Sequence, residues 1–364
     1  MLIMPLLSTL LSMGSPQPAT DLPDSLPRPR GVNLTDSVAC TIVKDQGQSP
    51  TCWVFGTNSI FESDLMRQGR ERLNLSEMFI ARHAYIDKAR RFLATGGKTY
   101  FEGGGQFHDV IRVIREHGMV PDEVYSGRTG EKRVHDHSGL DTAMKYLVHG
   151  WLREGRQALT DRDLTRINDT LDKYLGRLPG SFYWKGKNYT ARSYADEILP
   201  TPDDYVELVS FSDQPLYKRF ILEDKYNWAR DSFWNISLQD MQQIADTAIT
   251  RGYSVGWEGD VTETGFNYFG GYAALPDSAY AYDRQRLDNY RTEVTERDHM
   301  LHLSATGRDA EGRKWYYLKN SWGTWLSPYK GYIYMDENYF RMETVIIFVH
   351  KNGLPLSIRK KLGL

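Results

Sequence analysis

The hydrophobic patterning of this chain changes character once, and that change limits the fold more than any other feature. The first two thirds are written for helices. From Cys52 the run CWVFGTNSIFESDLMRQG sets Val54, Phe61 and Leu65 on one face, with Gly69 as a stop. Ser76-Glu77-Met78-Phe79 offers an N-cap before an apolar run, and Gln106–His117 reads as a third helix, closed by Gly118 with Pro121 beyond. Residues 138–250 are mostly helix-patterned, interrupted by the aromatic-rich segment Ser181–Tyr189. The last third then turns to short β-rich segments separated by turn signals: Met300–Thr306, Lys314–Lys319, Gly331–Met335 and Thr344–His350. Helices first and strands last predict an α+β fold whose late strands form an antiparallel sheet.

Composition narrows the partners. The 45 Lys+Arg nearly balance the 47 Asp+Glu, so nothing calls for nucleic acid or an anionic membrane surface as the main partner. With 364 residues there is ample length for one large domain, expected over 31–364, with a helical insertion at about 138–250 and a tail at 352–364. Residues 14–30 are rich in Pro and Ser and read as a linker. Before it, Met1–Met13 is an apolar run too short to span a bilayer, followed by small residues but lacking a basic start. A signal segment removed near residue 19 would make the protein periplasmic or extracellular; without one it would be cytoplasmic. No other stretch reads as a membrane helix. The two cysteines, Cys40 and Cys52, offer no second cluster with metal-ligand spacing, and no structural disulfide or Cys-based metal site is expected.

The chemistry starts at Cys52. Pro50 just ahead of a helix start places this thiol in the first turn, where unpaired N–H groups and the helix dipole favour an anion and should lower its pKa. A small buried core residue is the competing reading. A nucleophile needs a histidine held by a third group. His299 opens one strand, and the next strand ends near Asn320, with a turn centred on Ala310 between them. A hairpin with that turn predicts His299 and Asn320 as cross-strand neighbours or nearly so, the Asn oxygen fixing the His tautomer. Gln46, six positions before Cys52, could place a side-chain amide beside a helix-start N–H, two donors for an oxyanion.

These runs resemble known motifs. DQGQSPTCWVF resembles the active-site segment of the papain superfamily of cysteine peptidases, and Asp298-His299 with Asn320-Ser321-Trp322-Gly323 resembles its His and Asn-Ser-Trp-Gly motifs. Gly103–Tyr125 looks like the family's Gly-Gly strand, helix and Pro-x-x-x-Tyr segment. The resemblance covers roughly residues 31–355. It implies a two-lobed fold with a helical N-terminal lobe and a β-rich C-terminal lobe. It assigns Cys52, His299, Asn320 and Gln46 to catalysis, Gly104 and Gly105 to the backbone of an extended substrate, and Trp322 to shielding the His–Asn bond. The long insertion, Gly256–Val261 and Lys330-Gly331-Tyr332 are closer to the bleomycin hydrolase / aminopeptidase C branch. Ser49-Pro50-Thr51 departs from that branch's usual Ser-Gly-Arg approach to the cysteine.

That branch implies peptide substrates, no metal or organic cofactor, and a chain end that enters the cleft. Leu364 would then pair its carboxylate with a substrate's amino terminus, making the protein an aminopeptidase. A papain-like endopeptidase and a catalytically silent binding protein on the same scaffold are the alternatives. A homo-oligomer is left open.

Overall fold

The computed structural model describes residues 26–364 apart from 131–133, 200 and 279. The expected signal segment and most of the expected linker lie outside the described residues. Leu26 is already buried, so the packed chain starts ahead of residue 31.

In chain order, β1 (Asn33–Ser37) precedes α1 (Cys52–Arg67), α2 (Glu77–Ala94), α3 (Phe107–His117), α4 (Ser138–Arg153) and α5 (Asp161–Leu175). The hairpin β2 (Phe182–Trp184) and β3 (Lys187–Tyr189) and then α6 (Ala191–Ile198) follow. Next come β4 (Tyr205–Val209), β5 (Arg219–Ile221), β6 (Ser232–Asn235), α7 (Leu238–Thr250) and β7 (Val255–Gly259). Then come β8 (Phe266–Asn267), β9 (Tyr272–Ala273), α8 (Tyr282–Arg291), β10 (His299–Arg308), β11 (Lys314–Lys319) and β12 (Tyr332–Asp336). The chain closes with α9 (Glu337–Glu343), β13 (Thr344–His350) and α10 (Leu356–Leu362).

Local chemistry explains the ends of these helices. Ser76 accepts the Phe79 N–H at 3.1 Å to start α2, and Gln106 and Asp109 cap α3 reciprocally. Gly118, at φ +85°, ends α3. The insertion departs from the helical reading. Its first part is helical apart from β2–β3, but β4, β5 and β6 join the main sheet, in the order β5-β6-β4-β13-β7-β10-β11-β12-β9-β8, with β1 on β10. Short β-branched and aromatic runs such as Tyr205–Val209 gain more from sheet pairing than from a helix. Most pairs are antiparallel; β4 with β6 and β12 with β9 run parallel.

The sheet has two covered faces, because its side chains alternate. Met300, Ile346 and Phe348 join the core built with α1–α6, while Leu301, Ile347 and Val349 join a second core with α7, α9 and α10. The helix that starts at Cys52 and the helix that ends the chain therefore lie on opposite faces. No described helix is long and apolar enough to cross a membrane.

Candidate active site

The loop before Cys52 is built by its own polar groups. Gly47 has φ +56°, and an added Cβ there would stand 2.4 Å from the His135 carbonyl oxygen, so only glycine fits. Ser49 donates to the Gln46 carbonyl (2.6 Å), and its hydroxyl lies 2.6 Å from that of Thr51. Thr51 starts α1 without a side-chain cap. Cys52 is thereby the first residue of the helix. Gly56, one turn on, packs against Met300, which sits next to His299 on β10. The two cysteines of the chain are both free thiols.

His299 Nε2 lies 2.7 Å from Asn320 Oδ1. That oxygen also accepts the backbone N–H of Ser321 at 2.7 Å, and a backbone N–H can only donate, so this end of the amide is the carbonyl. Nε2 must then carry the proton, and Nδ1 is left as the bare, basic nitrogen. Trp322 covers the pair, its ring centroid 4.4 Å from that of His299, and Tyr268 meets Trp322 edge-on at 4.9 Å.

The route to this bond differs from the hairpin expectation. Leu303 pairs with Leu318 and His302 with Lys319, after a bulge between Leu303 and Ala305. Extended, that register sets His299 opposite Trp322, and Asn320 two places away on the same face. The bond is diagonal rather than directly cross-strand.

Gln46 is buried and tied to the same segment: its Oε1 accepts from Ser321 Oγ at 2.7 Å, and its backbone N–H donates to Ser321 O at 2.8 Å. One of its two amide protons goes to Ser49 O at 2.9 Å.

Electrostatics correct another expectation. Enclosure pushes the Cys52 thiol up to about 12, with the charges of Glu258 and Asp298 adding to the shift and backbone groups of Met300 and Trp53 opposing it. Burial outweighs the helix start. Burial also holds His299 down to about 4, against the pull of Asn320. Both shifts run against separating charge between the thiol and the imidazole.

Gly104 and Gly105 lie against aromatic rings. A Cβ on Gly105 would come within 2.8 Å of the Trp53 ring, and one on Gly104 within 3.1 Å of Tyr226. The segment lies outside any strand. It is held by Lys88, a buried ammonium that donates to the carbonyls of Glu102 (2.7 Å) and Gly104.

Leu364 is not brought to this site. Ile358 and Leu362 seat α10 in the core of the opposite face, and Lys361 donates to Tyr217 at 2.9 Å. A tail with two buried apolar anchors stays on the surface that buries them.

Sequence reasoning missed a buried polar group beside Cys52. Arg297 pairs with Asp224 and, at 3.4 Å, with Glu258, and its guanidinium lies 5.9 Å from the Tyr226 ring. The one available signal was a glutamate inside the otherwise uncharged run Val255–Gly259.

No family model matches the chain. It is similar to aminopeptidase G of Lactobacillus delbrueckii subsp. lactis, 24% identical over 356 residues, covering 86% of this chain and 81% of that one. It is also similar to aminopeptidase C of Streptococcus thermophilus, 23% identical over 364 residues with the same coverage. Its fold matches the crystal structure of PepW from Lactobacillus rhamnosis, with a TM-score of 0.72 at 16% identity over 91% of this chain and 84% of that one.

Proposed function

We propose that this chain, which belongs to the papain-like cysteine peptidase superfamily on its bleomycin hydrolase / aminopeptidase C branch, is a thiol aminopeptidase working through Cys52, His299 and Asn320. The observation that carries the reading is the His299–Asn320 bond under Trp322, which leaves Nδ1 bare on the strand packed against the helix of Cys52.

Neutral starting states suit a general-base step. As Cys52 Sγ bonds to the scissile carbonyl carbon, His299 Nδ1 takes the thiol proton, and imidazolium forms against the Asn320 oxygen. The second amide proton of Gln46 and the Cys52 N–H hold the oxyanion. Nδ1 then gives its proton to the leaving amine as the C–N bond breaks. A water, deprotonated by the same nitrogen, hydrolyses the thioester and restores the thiol. The neighbours' names, aminopeptidase G and aminopeptidase C, support cleavage from the amino end.

The test is labelling by an epoxide thiol-peptidase probe with hydrolysis of unblocked aminoacyl substrates. Both should vanish in Cys52→Ala. A wild-type thiol that never labels at neutral pH would overturn the mechanism, and equal cleavage of N-blocked peptides would overturn the aminopeptidase reading.

A further inference from the structure

An enzyme that cuts after a chain's first residue must recognise a free α-ammonium. That nitrogen is one carbon away from the carbonyl under attack, about 2.5 Å from it. The group that binds it must therefore lie within a few ångströms of the space before the nucleophilic sulfur. Leu364, whose helix packs on the far face of the sheet, does not supply this group.

Glu258 has the position. It lies on β7 opposite Met300, and β7 also sets Gly259 opposite His299. Alternation puts Glu258 on the face shared with Gly256, which packs against Phe107 and Ile60 on the side of α1. Its charge acts on the Cys52 thiol, and the Met300 backbone touches that thiol. It also has the free valence. Glu258 is 2% exposed; its Oε1 accepts from Gln106 Nε2 at 3.2 Å and faces Arg297 Nε at 3.4 Å, whereas Oε2 has no partner. An unpaired buried carboxylate oxygen is costly unless something binds there.

Ionised together, Glu258 and Asp224 would set two negative charges on Arg297, and a bound ammonium would balance the second. Arg297 is shared by Asp224 and Glu258, and both Asp224 oxygens are occupied: Oδ1 by Arg297 and the Tyr226 N–H, Oδ2 by Tyr290 OH at 3.2 Å. Gln106 Oε1 accepts from Arg297 at 3.4 Å and completes the ring of contacts. The Tyr226 ring lies against Gly104, with the Arg297 guanidinium over it at 5.9 Å.

We propose that Glu258 is the acceptor for the substrate's α-ammonium, with Arg297, Asp224 and Tyr226 walling off the space for any residue further upstream. The assignment rests on Cys52 being the nucleophile. It makes the substrate class peptides with an unblocked first residue, released one residue at a time. Asp298, whose Oδ2 is also unpaired, is the rival acceptor.

The test compares an aminoacyl fluorogenic amide with its des-amino and N-acetyl analogues in wild type, Glu258→Gln, Glu258→Asp and Asp298→Asn. The fraction labelled by a thiol-directed epoxide counts folded sites. Wild type should prefer the free amine. Glu258→Gln should cut the ratio of kcat/KM for free amine over des-amino substrate by roughly 10- to 100-fold, mainly through KM, as expected for one lost charge-assisted contact. Should that variant not fold, Glu258→Asp decides, since withdrawing the carboxylate by one methylene should raise KM for the free amine several-fold. An unchanged ratio in Glu258→Gln, an unchanged KM in Glu258→Asp, or transfer of the effect to Asp298→Asn overturns the assignment. Failure of wild type to label, or its equal use of the acetylated substrate, would instead sink the aminopeptidase reading beneath it.

Discussion

His299 and Asn320 share a 2.7 Å hydrogen bond although the register of the last pair before them, His302 with Lys319, offsets them by two places. The bond comes with its own cover, since the ring that shields it follows Asn320 by two residues.

Asn320→Ala should lower kcat roughly 10- to 100-fold, because the His299 tautomer is no longer fixed and a buried N–H loses its acceptor. Labelling by an epoxide probe should slow in parallel. Equal kcat in the variant would mean that Asn320 does not orient the base.

Trp322→Ala should admit water to His299 and raise its pKa from about 4 toward the ordinary value. The base acts only when neutral, so activity is lost as pH falls through this pKa. The acid limb of the kcat/KM profile should therefore move up by about one unit or more.

Removing Gly363 and Leu364 should leave the preference for free over blocked amino ends unchanged, because α10 lies across the sheet from Cys52. A collapse of that preference would show that the tail reaches the cleft.

Gly105→Ala should destabilise the protein by about 1–3 kcal/mol, since the new methyl meets the Trp53 ring. Trp53 is pinned by its Nε1 bond to Gly103 O (2.9 Å) and cannot readily yield. Thermal melting reads this directly, and the melting temperature should fall.

Burial raises Glu258 to about 8. An unfolded glutamate is ionised well below that, so between about pH 4.5 and 8 the native state binds more protons at this site and stability falls as pH rises. From pH 6.5 to 8, Glu258→Gln should flatten the decline in melting temperature. His299, held at about 4, adds no slope in that window. Asp298, also raised to about 8, keeps a residual slope in the variant.

Much of this protein could be read along the chain. The starts of α1 and α2 follow from local signals at Pro50–Cys52 and Ser76, and β11 and β13 span the residues their β-rich runs predicted. Cys52, His299, Asn320 and Gln46 stand in motifs whose spacing is itself the signal. β4–β6 were not legible, because such short runs acquire their state from the strands they pair with. The exact register was not legible, since the strands pair about residue 311 rather than Ala310 and a bulge then moves the register by one place.

Local signals along the chain specified which residue types could do chemistry and where α1, α2, β11 and β13 lie, because helix starts, turns and motif spacings are local. What surrounds them comes from packing between residues far apart in the chain. Burial, summed over residues distant along the chain, pushes the Cys52 thiol up and holds His299 down. The two faces of the sheet sent Leu364 away from the cleft and left a half-satisfied glutamate from β7 beside the sulfur.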